Sequence, residues 1–208
     1  MEPIKRDTRT LADRLNNDFA DLNLNERIDR IAGLAYRAVF TSNFCSADQV
    51  LSWAIALSGQ KIELTTLLTG QQLAANQSLL QITQDRYSIT IGRFEEPNKA
   101  LKGADVRIKA RHAGDFGHLN PAEFAQWDSQ SGLLILNPLA DWSGQHVQQA
   151  IAAHEIPVNP SYSSDPPKRL GKPCEDGRGN SWRTRPNLSS KQVAQKSRKK
   201  RAAMQLNA

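Results

Sequence analysis

Apolar residues recur along this chain in two periods, and their alternation lays out its elements. Leu11, Leu15, Phe19 and Leu22 fall at three- and four-residue steps. Ile28, Ile31, Leu34 and Ala35 resume that spacing after an asparagine-rich break, so residues 10–35 read as helical. Ala38–Thr41 is a short apolar strand running into the polar loop Ser42-Asn43-Phe44-Cys45-Ser46. Val50, Leu51, Ala54, Ile55 and Leu57 predict a helix over 47–57, and Ile62–Leu68 a second strand ending at Thr69-Gly70. A helix over 73–82 follows, then alternating strands over 87–91 and 104–109. Leu133–Leu136 is a compact apolar run of the kind buried in a sheet, and 143–153 completes the series as helix.

Strands separated by helices of this length form βαβ units, so the chain is expected to be an α/β protein with a mainly parallel sheet flanked by helices. Ligands in such folds sit at the carboxyl ends of the strands. That rule selects three places: the loop Thr41–Ser46, the turn at Thr69-Gly70, and the loop after Lys109. The expected organisation is a helical segment over 1–37, an α/β nucleotide-binding core over 38–160, an irregular Pro/Gly-rich segment over 161–188, and a basic tail over 189–208.

Charge changes this picture little. The net charge is +6, and Lys191, Lys196, Arg198, Lys199, Lys200 and Arg201 in the tail equal the whole excess. A nucleic-acid-binding fold would carry such charge on a folded face, so the tail reads as a solvated, disordered end rather than a nucleic-acid site. No apolar run reaches membrane-spanning length, and no secretory leader precedes the first helix, so no membrane partner is expected. Cys45 and Cys174 do not make a disulfide framework, which points to a reducing cytoplasm. His112, His118, His146 and His154 lack the spacing of a metal site.

The run Leu133-Leu134-Ile135-Leu136-Asn137-Pro138-Leu139-Ala140-Asp141-Trp142-Ser143 is the most specific in the chain. Pro138 stops the strand and Ser143 is placed to cap the next helix. This segment closely resembles the strand–turn–helix of the sulfonucleotide reductases, the adenylyl-sulfate and phosphoadenylyl-sulfate reductase family. Val39–Val50 is similar to that family's phosphate loop with its following Asp-Gln-Val, and Glu96–Leu101 to its "EPLNRAL" helix. The resemblance spans about Leu11 to Cys174. It implies an ATP-pyrophosphatase-like (Rossmann-like) fold and reduction of a bound adenine sulfonucleotide to sulfite with thioredoxin or glutaredoxin electrons. It also implies substrate contacts at Thr41, Ser42, Asn43, Cys45, Ser46, Thr69, Gly70, Arg111 and His112.

The departures lie at the chemistry. Cys45 stands where the family has Gly, Asn43 where it has a smaller residue, Leu68 where it has Asp, and Ala75 where it has Glu. The Cys-Cys segment before the "EP" helix is deleted, and one cysteine of the later pair survives as Cys174, so no iron–sulfur cluster is expected. The family's Glu-Cys-Gly-Leu-His tail is absent. Cys174, beside Lys168, Arg169 and Lys172, is then the candidate nucleophile, its other reading being a leftover ligand position. Cys45 is either a thiolate favoured by a helix N-terminus or a small buried strand-end residue. Two functions therefore stand: a diverged, cluster-free sulfonucleotide reductase, or an inactive member that binds an adenine nucleotide or a partner protein in a regulatory role. Self-association or assembly with another chain is open in both.

Overall fold

The structure is a computed structural model that describes residues 4–67, 70–113 and 123–159. Its elements run α1 (Ile4–Ala20), α2 (Leu24–Ala32), β1 (Ala38–Ser42), α3 (Ser46–Ser58), β2 (Glu63–Leu67), α4 (Gly70–Tyr87), β3 (Ile91–Phe94), α5 (Pro97–Ala100), β4 (Val106–Ile108), β5 (Ala125–Asp128), β6 (Leu133–Leu136) and α6 (Gly144–His154). One six-stranded sheet orders them β3-β2-β1-β4-β6-β5. Every pairing is parallel except β5 with β6, so the expected α/β sheet is mainly parallel with one antiparallel edge.

The helices start where local chemistry lets them. Asn23 caps α2 through a capping box: its Oδ1 accepts from the Glu26 amide at 3.1 Å, and Glu26 Oε2 accepts from the Asn23 amide at 2.8 Å. Ser143 caps α6 in the same way, accepting from the His146 amide at 3.2 Å. α3 is the central helix. Ala47, Val50, Leu51, Ala54 and Ile55 are buried on it, and it ends on Gly59 at φ +62°, a left-handed position where a side chain is strained. Phe40, Leu51, Ile108, Leu134 and Leu136 are fully buried around it and the sheet, so truncating Phe40 to Ala costs about 3–5 kcal/mol.

Two expectations need correction, and one strand was not expected at all. The strand expected over 87–91 does not form, because α4 runs on to Tyr87 and the strand begins only at Ile91. Asn76, Leu79, Leu80 and Thr83 keep a helical face buried past the point where the apolar residues thin out. Ser88, at φ +53°, then turns the chain. The helix over 10–35 is two helices, since the capping box at Asn23 restarts it. Finally, β5 has too little apolar alternation to announce itself. It forms because the hairpin turn is built for it, with Asp128 accepting from the Gln130 amide at 3.0 Å and the Ser131 hydroxyl at 2.6 Å. Gly132 supplies the positive φ that the turn requires.

The free edge of β5 is covered from the N-terminal helices. The Asn16 carboxamide on α1 accepts from the Ala125 amide at 2.9 Å and donates to its carbonyl at 2.7 Å, as a neighbouring strand would. The irregular segment and basic tail expected beyond residue 160 lie outside the described residues.

Candidate functional site

From β1 the chain passes through α3 to β2 on one side, while β4 pairs on the other side of β1. The loops leaving β1 and β4 therefore part in opposite directions, and this topological switch point is where an open α/β sheet leaves a crevice for ligand. The two sides of that point are the loop Asn43–Cys45 with the N-terminus of α3, and the segment Lys109–Ala113.

The first side is organised from within. Ser42 is fully buried, and its Oγ accepts from the Phe44 amide at 3.1 Å. Phe44 sits at φ +62° and is buried against the core, which bends the chain sharply into the helix. Asp48, in the first turn of α3 and 4% exposed, accepts the Asn43 amide on Oδ2 at 2.6 Å. Two loop amides are thus held by groups of the loop and helix themselves. β2 fixes the loop from beneath. Thr66 Oγ1 donates to the Ser42 carbonyl at 2.9 Å, and Thr65 Oγ1 donates to the Phe40 carbonyl at 3.2 Å. The Thr41 and Thr65 hydroxyls meet at 3.1 Å, and Thr41 is the donor because the Thr65 proton is spent.

Cys45 is the N-cap of α3, half-buried and packed on the core, a thiol rather than half of a disulfide. Its side chain makes no capping bond, and the acid in the first turn of the helix is Asp48. Ser46 is the first helical residue. Gln49, one residue beyond Asp48, is fully buried and donates both to Thr83 Oγ1 at 2.9 Å and to the Pro157 carbonyl at 2.8 Å. The first turn of α3 therefore holds the loop on one side and the chain leaving α6 on the other.

The second side is held from a distance. Arg111 and His112 are half-buried on the segment after β4. At the head of that segment the Lys109 amide donates to the Leu136 carbonyl at 2.9 Å, and at its end the Ala113 amide donates to the Trp142 carbonyl at 2.9 Å. The turn that carries Trp142 rests on Arg27 of α2, which is 2% exposed. Arg27 Nη1 donates to the Pro138 carbonyl at 2.8 Å and to Asp141 Oδ1 at 2.7 Å, Nη2 to Asp141 Oδ2 at 2.8 Å, and Nε to the Phe19 carbonyl at 2.9 Å. Its guanidinium also lies 4.5 Å from the centre of the Phe124 ring.

Of the residues singled out from sequence, Thr41, Ser42, Asn43, Cys45 and Ser46 stand together at the end of β1, and Arg111 and His112 follow the neighbouring strand β4. Gly70 begins α4 beyond the end of β2. Thr69 and Cys174 lie outside the described residues. The sequence reading passed over Asp48, Gln49, Thr65 and Thr66 as site-building residues. Asp48-Gln49 offered one signal, being an acid and an amide in the first turn of an otherwise apolar helix. Perturbed carboxylates lie away from the crevice. The Arg37 guanidinium, hydrogen-bonded at 2.7 and 2.6 Å, holds the Glu63 carboxyl below its ordinary value against the pull of burial. Burial pushes Asp128 up, and the Ser131 hydroxyl with the Gln130 and Ser131 amides outweighs it to leave the group lowered. Among the described residues no three His, Cys, Asp or Glu side chains gather to hold a metal, and no helix is long and apolar enough to cross a membrane.

No family profile matches the chain. It is 31% identical to the adenosine 5'-phosphosulfate reductase of Sinorhizobium fredii strain USDA 257, over 82% of this chain and 85% of that protein. It is 32% identical to the adenosine 5'-phosphosulfate reductase of Rhizobium meliloti strain 1021, over 80% of this chain and 79% of that one. Among solved structures it resembles the phosphate complex of phosphoadenylyl-sulfate reductase from Candida auris, with a TM-score of 0.55 over 71% of this chain and 87% of that one. Identity there is 15%, so that likeness speaks for the fold, the ATP-pyrophosphatase-like α/β arrangement expected from the motifs.

Proposed function

The chain belongs to the family of adenosine 5'-phosphosulfate reductases, and from that premise we propose that it is a diverged sulfonucleotide-reductase-like protein of sulfate assimilation. Its substrate is adenylyl sulfate or phosphoadenylyl sulfate, held at the carboxyl edge between β1 and β4. One observation supports the placement: the loop 43–45 with the N-terminus of α3 follows β1, and the Arg111–His112 segment follows the neighbouring strand β4, on the two sides of the switch point of the sheet. Amides at the helix start and the two basic side chains would meet the phosphate and sulfate. Thr65 and Thr66 act one step back, by holding the end of β1 in place.

In this reading the Cys174 thiolate attacks the sulfur of the sulfate group. The bond from sulfur to the bridging oxygen breaks, the nucleotide leaves with its phosphate, and a cysteine S-sulfonate remains. A dithiol donor, thioredoxin or glutaredoxin, then attacks the Cys174 sulfur. Sulfite departs with the bonding pair, and the donor's second thiol resolves the mixed disulfide, so two electrons pass from dithiol to sulfate sulfur. Lys168, Arg169 and Lys172 near Cys174 favour its thiolate. An iron–sulfur cluster does not fit this chain, because its two cysteines, Cys45 and Cys174, fall short of the four thiolates a cluster takes. Thiol-dependent chemistry of this kind belongs in a reducing cytoplasm.

A second reading has the chain bind an adenine nucleotide, or a partner protein, without turnover. The observation in its favour is the engagement of the Asn43 and Phe44 amides by Asp48 and Ser42, which leaves the loop fewer donors for an anion. The two readings part on one assay, adenosine 5'-phosphosulfate with reduced thioredoxin. Sulfite release that Cys174→Ser abolishes establishes the reductase. No sulfite, together with a higher melting temperature in the presence of adenosine 5'-phosphosulfate or AMP, leaves the binding reading.

A further inference from the structure

We infer that Arg27 is a positioning residue for the ligand edge, acting from outside the α/β core through the 137–142 turn. The inference rests on the reading that ligand binds between β1 and β4. It starts from the burial of Arg27, which places a guanidinium where a charge is costly unless every donor is used. Its bonds go to three places: the Phe19 carbonyl on α1, the Pro138 carbonyl, and both oxygens of Asp141. The bidentate pair to Asp141 and the bond to Pro138 hold both ends of one tight turn. Within that turn the Ala140 amide returns to the Asn137 carbonyl at 3.1 Å and the Trp142 amide to the Leu139 carbonyl at 2.9 Å.

The same turn anchors both described ends of the connection from β4 to β5. At the leading end the Ala113 amide donates to the Trp142 carbonyl, directly after Arg111 and His112. At the returning end the Asn137 side chain donates to the Glu123 carbonyl at 2.8 Å, and its amide donates to the Phe124 carbonyl at 2.7 Å. The Phe124 ring then lies under the Arg27 guanidinium and edge-on to Phe19, at 5.9 Å between ring centres. One side chain on α2 thus fixes the turn, and the turn holds Ala113, directly after Arg111 and His112, as well as residues 123–124 that lead into β5. A role in folding alone would explain the burial. It would not require that the bonds converge on the one turn that holds the basic side of the switch point.

The test uses the full chain and two readouts. In Arg27→Met, hydrogen exchange at the Ala113 amide should accelerate roughly tenfold or more relative to the Phe40 amide of β1, as expected when charged hydrogen bonds are lost. Calorimetric titration with adenosine 5'-phosphosulfate and with AMP, well below the melting temperature, should show binding roughly tenfold weaker or worse. Combining Arg27→Met with Arg111→Ala and His112→Ala should weaken binding little further than the Arg111→Ala, His112→Ala pair alone, because Arg27 acts through the segment that carries both. Arg27→Lys, which keeps the charge and loses the fork, serves if Arg27→Met does not fold, with the same direction expected in both readouts. A lowered melting temperature with unchanged Ala113 exchange would show that Arg27 only stabilises the fold. Faster exchange with affinity within about twofold would overturn the link to ligand. If the wild-type chain binds neither nucleotide, the site reading itself fails, and with it the inferred effect on affinity; the Ala113 exchange then decides whether Arg27 holds the segment.

Discussion

The loops that follow β1 and β6 stand at the same edge of the sheet and are held in opposite ways. After β1, the polar groups of 42–48 satisfy one another, Ser42 taking the Phe44 amide and Asp48 the Asn43 amide. After β6, the turn 137–142 takes its support from Arg27, more than a hundred residues earlier in the chain. The first loop can change its residues and compensate nearby. The second can change only together with a distant partner. This is a physical reason for the run Asn137–Ser143 to hold its residues more tightly than the loop at Asn43–Cys45.

Four experiments press on that difference, beginning with the largest effect. Asp141→Ala should cost about 3–5 kcal/mol in urea unfolding, because it strands a buried guanidinium rather than merely removing a surface charge. A cost below about 1 kcal/mol would show that Arg27 is content with its two carbonyls, and the comparison would lose one side. Asp48→Ala should cost about 1–3 kcal/mol by leaving the Asn43 amide without its acceptor. Because that network is local, the Asp48 and Asp141 effects should add in the double variant to within about 0.5 kcal/mol. Ser143→Ala, which removes the cap just past the turn, should cost about 1 kcal/mol.

The smallest effect serves as a control at the other edge of the sheet. Glu63, paired with Arg37 at the start of β2, has its carboxyl held below the ordinary value of 4.5. Its folded form is therefore the worse proton acceptor, so its contribution is fully present above the ordinary value and fades as pH falls through the lowered one. Both partners are substantially exposed, so Glu63→Gln should cost no more than about 1 kcal/mol at neutral pH and nothing once the carboxyl is protonated. Unfolding measured from neutral pH down to acid should show the wild-type and variant curves converging. Neither loop should respond in its amide exchange.

Local signals carried most of the architecture. The capping residue Ser143 and the apolar runs of β1, β2 and β6 are each readable within a few positions. The failures came where local and distant demands differed. Tyr87-Ser88-Ile89-Thr90-Ile91 alternates like a strand, yet α4 extends to Tyr87 because Leu80 and Thr83 find burial there. β5 carries Gln126 and Asp128 among its four residues and exists because β6 and Asn16 are beside it. Of the candidate site, its place at the strand ends was legible, since the βαβ order dictates it. That the Thr41 and Ser42 hydroxyls are engaged by Thr65 and the Phe44 amide was not.

By itself, then, the sequence determined the α/β class, most of the strands and helices, and the family. Periodicity and capping are local, and a mainly parallel sheet follows from the alternation of strands and helices. Only the tertiary structure decided that Arg27 belongs to the turn at Asp141, Asn16 to the edge strand, and Gln49 to the chain after α6. A buried polar side chain must find a partner, but nothing in its own neighbourhood along the chain says which one, because the partner is chosen by packing.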